Sequence, residues 1–186
     1  MEPDALPAWA EEHAATLLAN LGVRWQHVRG VARQAQRVSQ ALAPEDRPYL
    51  VAAAWLHDIG YAPDLAATAF HPIDGARHVR ALGHQRLARL VAHHSSARWE
   101  AEALGLAGEL AAFPREDSAT ADALTYSDMT TSPTGQRVTM ADRLAEIAAR
   151  YGPDHLVVRC LQRADDYLLG AVRRTEERMQ AARVSD

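Results

Sequence analysis

The stretch Leu50-Val-Ala-Ala-Ala-Trp-Leu-His-Asp-Ile-Gly60 decides how this chain is read. Leu50 to Leu56 is an unbroken apolar run that follows Pro44 and Glu45 at a helix start, and it shows no alternation. A helix that is apolar all round belongs at the centre of a bundle. His57 and Asp58 end that helix, and Gly60 breaks it. An imidazole and a carboxylate placed there leave water at a cost of several kcal/mol unless something compensates them. One divalent cation compensates both. Neighbouring residues on a helix point about 100° apart, so both reach one ion only if it lies near the helix end. Taken alone, the dipeptide also fits a buried His–Asp hydrogen-bonded pair or a helix end facing solvent.

Working outward, helical spacing covers 8–21, ended by Gly22, and then 24–42, ended by Pro44. Beyond Asp58, Gly60 and Pro63 predict a loop to about Pro72. Helices are predicted over 73–82 and 85–95, parted by Gly83, while 99–114 is glycine-punctuated and less regular. Helical spacing returns over 116–126, 138–151 and 154–180, with a turn-rich loop at 130–135. Alternating strands are absent. The expected fold is all-α: one helical-bundle domain over 1–186, with a core of about 24–150 and a C-terminal helix at 154–180.

All 20 basic residues are arginine, which removes lysine as a nucleophile or phosphate clamp. A net charge of -4 and a pI near 6.1 argue against a nucleic-acid polymer as partner, because such binders need a basic face. Cys160 is the only cysteine, so an intrachain disulfide and a cysteine-based zinc site are both excluded. Glu2, Asp4, Glu11 and Glu12 break the basic-then-apolar layout of a signal peptide, and no apolar run approaches the ~20 residues of a membrane span. The expectation is a cytoplasmic protein without a membrane partner.

Other polar residues fall on inward faces by the same counting. His27 heads a stripe with Val31, Ala35, Val38 and Leu42. His94 follows Leu87, Leu90 and Val91 by seven, four and three residues, whereas His93 lies about 100° off that stripe. Asp128 follows Leu124 by four and Ala121 by seven, and a lone inward carboxylate calls for a cation or several N–H donors. His71 precedes Pro72 and is held extended at a helix start. Singly, each histidine also reads as a core imidazole on a backbone carbonyl, a cap or a surface residue; together they converge. His78 and His84, among Arg77, Arg80, Gln85 and Arg86, read as solvated, and His13 and His155 have no partner pattern.

The order His27 … His57-Asp58 … His71 … His94 … Asp128 resembles the HD-domain superfamily of metal-dependent phosphohydrolases. The surrounding segments Trp25-Gln-His27-Val-Arg-Gly-Val-Ala32, Ala54-Trp-Leu-His57-Asp58-Ile-Gly60, His71-Pro-Ile-Asp-Gly75-Ala76 and His93-His94-Ser95-Ser96 carry the likeness. It spans about 24–150. The resemblance implies an all-helical core and a binuclear centre, with His27, His57, Asp58 and Asp128 on one ion and Asp58, His71 and His94 on the other. Cyclic-dinucleotide phosphodiesterases of the superfamily carry a lysine after His-Asp-Ile-Gly and a later Gly-Tyr-Pro. Tyr61 stands in the lysine's place and Gly-Tyr-Pro is missing, so that substrate is not assigned. In ligand layout the nearest resemblance is to the small binuclear members, including symmetrical diadenosine-tetraphosphate hydrolases.

The mixed His/carboxylate set suits Mn, Fe, Co, Ni or Zn better than Mg. The expected reaction is hydrolysis of a small phosphate ester or anhydride, nucleotide-like, by a hydroxide that the two metals hold together with Asp58. Arg137, Arg77 and Arg98 are the arginines expected to grip phosphoryl oxygens, and His93 is expected to relay a proton or buttress His94. Two alternatives share the same ligands: a di-iron oxygenase acting on a small organic substrate, and a ligand-sensing protein with a vestigial site.

Overall fold

The computed structural model describes residues 2–184. It has no strand among them, only an isolated antiparallel bridge between Thr131 and Arg137, so the expected all-α class holds. α1 (Leu6–Leu18) and α2 (Val23–Val38) are joined through Gly22, whose φ of +51° favours a residue without a Cβ. A 3-10 turn at Ser39–Ala41 and another at Pro44–Asp46 lead into α3 (Arg47–Leu56), which opens with Pro48 in its first turn.

α3 is the axis of the molecule. Every residue from Leu50 to Leu56 is buried, with Ala52, Ala53 and Ala54 at 0 % exposure. Three small side chains in a row let neighbouring helices approach closely, and α3 packs against α1, α2, α5 (Gln85–Ala92) and α8 (Ala119–Met129). The chain then makes 3-10 turns at Ile59–Tyr61 and Pro63–Leu65 before α4 (His71–Ala81), which packs against α5. The 99–114 region holds two short helices, α6 (Ala97–Ala103) and α7 (Ala107–Leu110).

Ser118 caps α8 by accepting from the Ala121 N–H, and Thr139 with Asp142 forms a capping box at the start of α9 (Met140–Tyr151). The single helix expected at 154–180 is two helices, α10 (Leu156–Arg163) and α11 (Asp165–Val184). The Ala164 N–H bonds back to both Cys160 and Leu161 carbonyls, tightening the last turn of α10, and Asp165 and Asp166 begin the next helix. The break serves packing: α10 lies on α6 and α9, whereas α11 lies on α8. Among the described residues no helix is long and apolar enough to cross a membrane.

Candidate metal centre

Six side chains from five segments meet beside the end of α3. His57 caps α3 and Asp58 follows it; α2 brings His27, α8 brings Asp128, α4 starts with His71, and His94 lies two residues past the end of α5. His27, His57, Asp58, His94 and Asp128 are buried, and His71 is half-buried. The helical count that placed His94 inward therefore extends past the helix itself, since α5 stops at Ala92. Asp128 sits within α8, one residue before its end.

The histidines are oriented by the backbone. A carbonyl oxygen only accepts, so the nitrogen facing it carries the hydrogen. His27 donates from Nδ1 to Ser132 (3.1 Å), His57 to Ala54 (2.8 Å) and His94 to Val91 (2.7 Å). Each Nε2 is thereby turned inward towards the two aspartates, the orientation that metal-ligating histidines share. His57 Nε2 is buried and has no hydrogen-bond partner among the described residues. Such an orphaned group costs about 1–3 kcal/mol, which a cation would offset.

The donor atoms form two groups, His27 with His57 and Asp128, and Asp58 with His71 and His94; within each they lie within 4.8 Å of one another. Asp58 joins the groups. Its Oδ1 is 3.3 Å from His71 Nε2 and its Oδ2 is 3.4 Å from His57 Nε2. His27 Nε2 lies 3.0 Å from Asp128 Oδ1, and the His71 and His94 Nε2 atoms are 3.2 Å apart. Spacing and donor chemistry both fit the binding of a divalent metal.

Electrostatics keep the acids charged. Burial pushes the Asp58 carboxyl up, but Arg24 and His57 outweigh it and hold the group well below the usual range. Asp128 is likewise lowered, because hydrogen bonding to His27 and the nearby His57 overcome its burial. His94 is lowered to about 4 by burial and by the neighbouring His71 and His57, so it is a neutral donor. Burial lowers His57 as well, yet Asp58 and Asp128 raise it overall.

The backbone is strained where it delivers two ligands. Ala69 (φ +60°) precedes the turn into His71, and Ser95 (φ +50°) directly follows His94. Left-handed conformations at non-glycine residues cost about 1–2 kcal/mol each. Ser95 recovers part of this by donating from Oγ to Asp128 Oδ2. Asp74 fastens the other loop, accepting from the Ala67 and Thr68 N–H groups and from Thr68 Oγ1.

Five of the six, His27, Asp58, His71, His94 and Asp128, border a cavity of about 90 Å³, whose other walls include Arg24, Tyr61, Glu100, Arg143 and Arg150. Arg24 donates to Asp58 Oδ2 at 2.5 Å and lies 3.9 Å over the Tyr61 ring, which stacks on His71. Arg143 is 7 % exposed and pairs with Glu146, while its Nε has no partner among the described residues. These arginines went unnoticed in the sequence. Arg143, Ile147 and Arg150 do repeat at i, i+4 and i+7 on one face of α9, which is the signal that could have found them.

The expected phosphate-gripping residues lie elsewhere. Arg137 lines a different cavity, because the Thr131–Arg137 bridge folds the 130–137 loop back on itself. Arg77 is engaged with Glu109, and Arg98 pairs with Glu102 one helical turn on. His93 Nε2 donates to the Phe113 carbonyl at 2.5 Å, and His93 does not line the cavity. His78 and His84 are half-buried where full solvation was expected. The Nε2 of His78 is 2.8 Å from that of His13, and His84 packs on Trp9, all apart from this cavity.

An all-helical bundle with histidines and aspartates gathered at the end of its central helix defines a histidine–aspartate metal-binding domain. The HD domain family model matches residues 24–169, and the chain belongs to that family, whose members are typically metal-dependent phosphohydrolases. No curated protein and no solved structure matches the chain significantly.

Proposed function

We propose that the protein hydrolyses a small, nucleotide-like phosphate ester or anhydride with two divalent transition-metal ions. His27, His57 and Asp128 would hold one ion, Asp58, His71 and His94 the other, with Asp58 reaching towards both. When bound, such cations polarise phosphoryl oxygens and lower the pKa of water. The observation that carries this reading is the buried, partnerless His57 Nε2, set among imidazoles whose Nδ1 hydrogens the backbone has already claimed.

The chain's own residues supply the rest. Arg24, Arg143 and Arg150 bring guanidinium donors to the cavity wall, suited to the non-bridging oxygens of a phosphoryl group. Arg143 is held by Glu146 with its Nε free, so it is ordered before a substrate arrives. Among the described residues Glu100 is the one lining carboxylate outside the two ligand groups, and its Oε1 accepts from Ser96 Oγ at 2.6 Å. That atom is placed to take a proton during turnover. One water occupies roughly 10–15 Å³ on this measure, so a cavity of about 90 Å³ takes the phosphoryl end of a substrate while its remainder lies outside.

Elemental analysis of the protein after loading with Mn, Fe, Co, Ni or Zn, followed by phosphate release across nucleotides and phosphomonoesters, tests the proposal. Two ions per chain and metal-dependent phosphate release are expected, and Asp58→Ala should lose both. Oxygen consumption with no phosphate release from any compound would replace hydrolysis by an oxygenase reaction.

A further inference from the structure

Eleven of the 20 arginines have a carboxylate within 4.0 Å among the described residues. Four of the nine that do not, Arg37, Arg47, Arg137 and Arg183, line a single cavity of about 410 Å³. They come from the end of α2, the start of α3, the 130–137 loop and the end of α11, so only the tertiary fold assembles them. Among the described residues no aspartate or glutamate lines this cavity, although acids outnumber bases 24 to 20 in the chain. Four like charges converge there without a carboxylate among the described residues to offset them, and an anion is what such a field attracts.

The cavity is also partly pre-organised. Arg47 donates from Nε to the Leu42 carbonyl at 3.1 Å, which fixes its guanidinium at the rim. Gln34 lines the wall and is tied to Thr130 Oγ1. Tyr126, 1 % exposed, contributes to the lining. The volume is several times that of the cavity at the candidate metal centre, and the two share no lining residue.

We propose that this cavity is a second binding site, for a small polyanion carrying two or more phosphate groups. Guanidinium forks suit phosphate oxygens, and a di- or triphosphate spans several of them where a single phosphate engages only one or two. The site stands independently of the proposed hydrolase reading, since none of its residues borders the metal centre.

Imidodiphosphate, which resists hydrolysis, is titrated calorimetrically into the full-length protein as purified. A saturable event is expected that weakens about tenfold or more when Arg37→Glu and Arg183→Glu are combined. Arg150→Ala, on the wall of the other cavity, should leave that event unchanged. Arg37→Gln removes a charge without reversing it and should weaken the same event less; it covers the case where double reversal disturbs folding. Rising salt should weaken binding as well. Absence of any saturable binding overturns the proposal. So does binding that survives every Arg37 substitution, or that Arg150→Ala alone abolishes.

Discussion

Ser95 and His94 show how single residues set this centre. Ser95 accepts a left-handed backbone directly after His94 and uses its hydroxyl to hold Asp128, so one residue orients a donor from each ligand group. Ser95→Ala should lower metal affinity or activity by roughly 10–100-fold, as loss of an outer partner usually does, while leaving helical content unchanged by circular dichroism. His94 makes a pH prediction. Its folded pKa is about 4 against an ordinary 6.5, so the unfolded chain binds the proton more readily. Its contribution to stability is complete above pH 6.5 and is lost as pH falls towards 4. His57 is raised and has the opposite sign: its contribution is present below 6.5 and lost as pH climbs past its folded pKa. In metal-free protein, denaturant midpoints of wild type and His94→Gln should therefore converge as the medium is acidified through that window. Parallel curves would assign His94 no part in the acid response.

At the scale of elements, glycines decide which segments can touch. A Cβ on Gly60 would lie 2.0 Å from the His71 carbonyl oxygen and 2.7 Å from the Gly75 nitrogen, both backbone atoms that have nowhere to go. Gly60 and Gly75 thus let the His57-Asp58 turn press against the start of α4, which carries His71 to Asp58. Gly60→Ala should force these elements apart and destabilise the protein by about 1–3 kcal/mol or more, read from urea midpoints, with loss of the ion at Asp58, His71 and His94. Unchanged metal content and stability would mean the turn has slack that the contacts deny. Gly30 does the same for the 130–137 loop, since a Cβ there would meet Gly135 Cα at 2.4 Å. That contact brings the Ser132 carbonyl to His27. Both motifs could be read from the sequence as ligands plus glycines. The partner of each glycine could not, because it lies on another element.

For the whole molecule, α11 stabilises the centre from a distance. Asp122, buried on α8, accepts from Arg174 at 2.6 and 2.8 Å and from Arg178 at 3.0 Å, fastening α11 to the helix that carries Asp128. Asp122→Ala removes these charge-assisted bonds and should cost about 1–3 kcal/mol, or roughly 2–4 °C in Tm for each kcal/mol, by calorimetry. Because the ligands themselves are intact, the folded variant should still bind its metals. Loss of metal at full folding would mean that α11 shapes the centre directly. The amino-acid order determined the all-helical class, the buried helix at 50–56 and the inward turn of His27 and Asp128, because helical periodicity is a local property written in neighbouring side chains. It also put His94 on an inward stripe and His57-Asp58 at the end of the apolar helix, whereas His71 lay on no stripe and joined the candidate ligands only through the family resemblance. Which cavity each arginine lines was decided only in three dimensions. Arg137 reads as a loop residue near Asp128 and points into another cavity, whereas Arg24, Arg143 and Arg150 reach the centre. An exposed cation packs equally well facing either way along the chain, and which cavity it enters depends on where distant helices leave space and which carboxylates they bring to it.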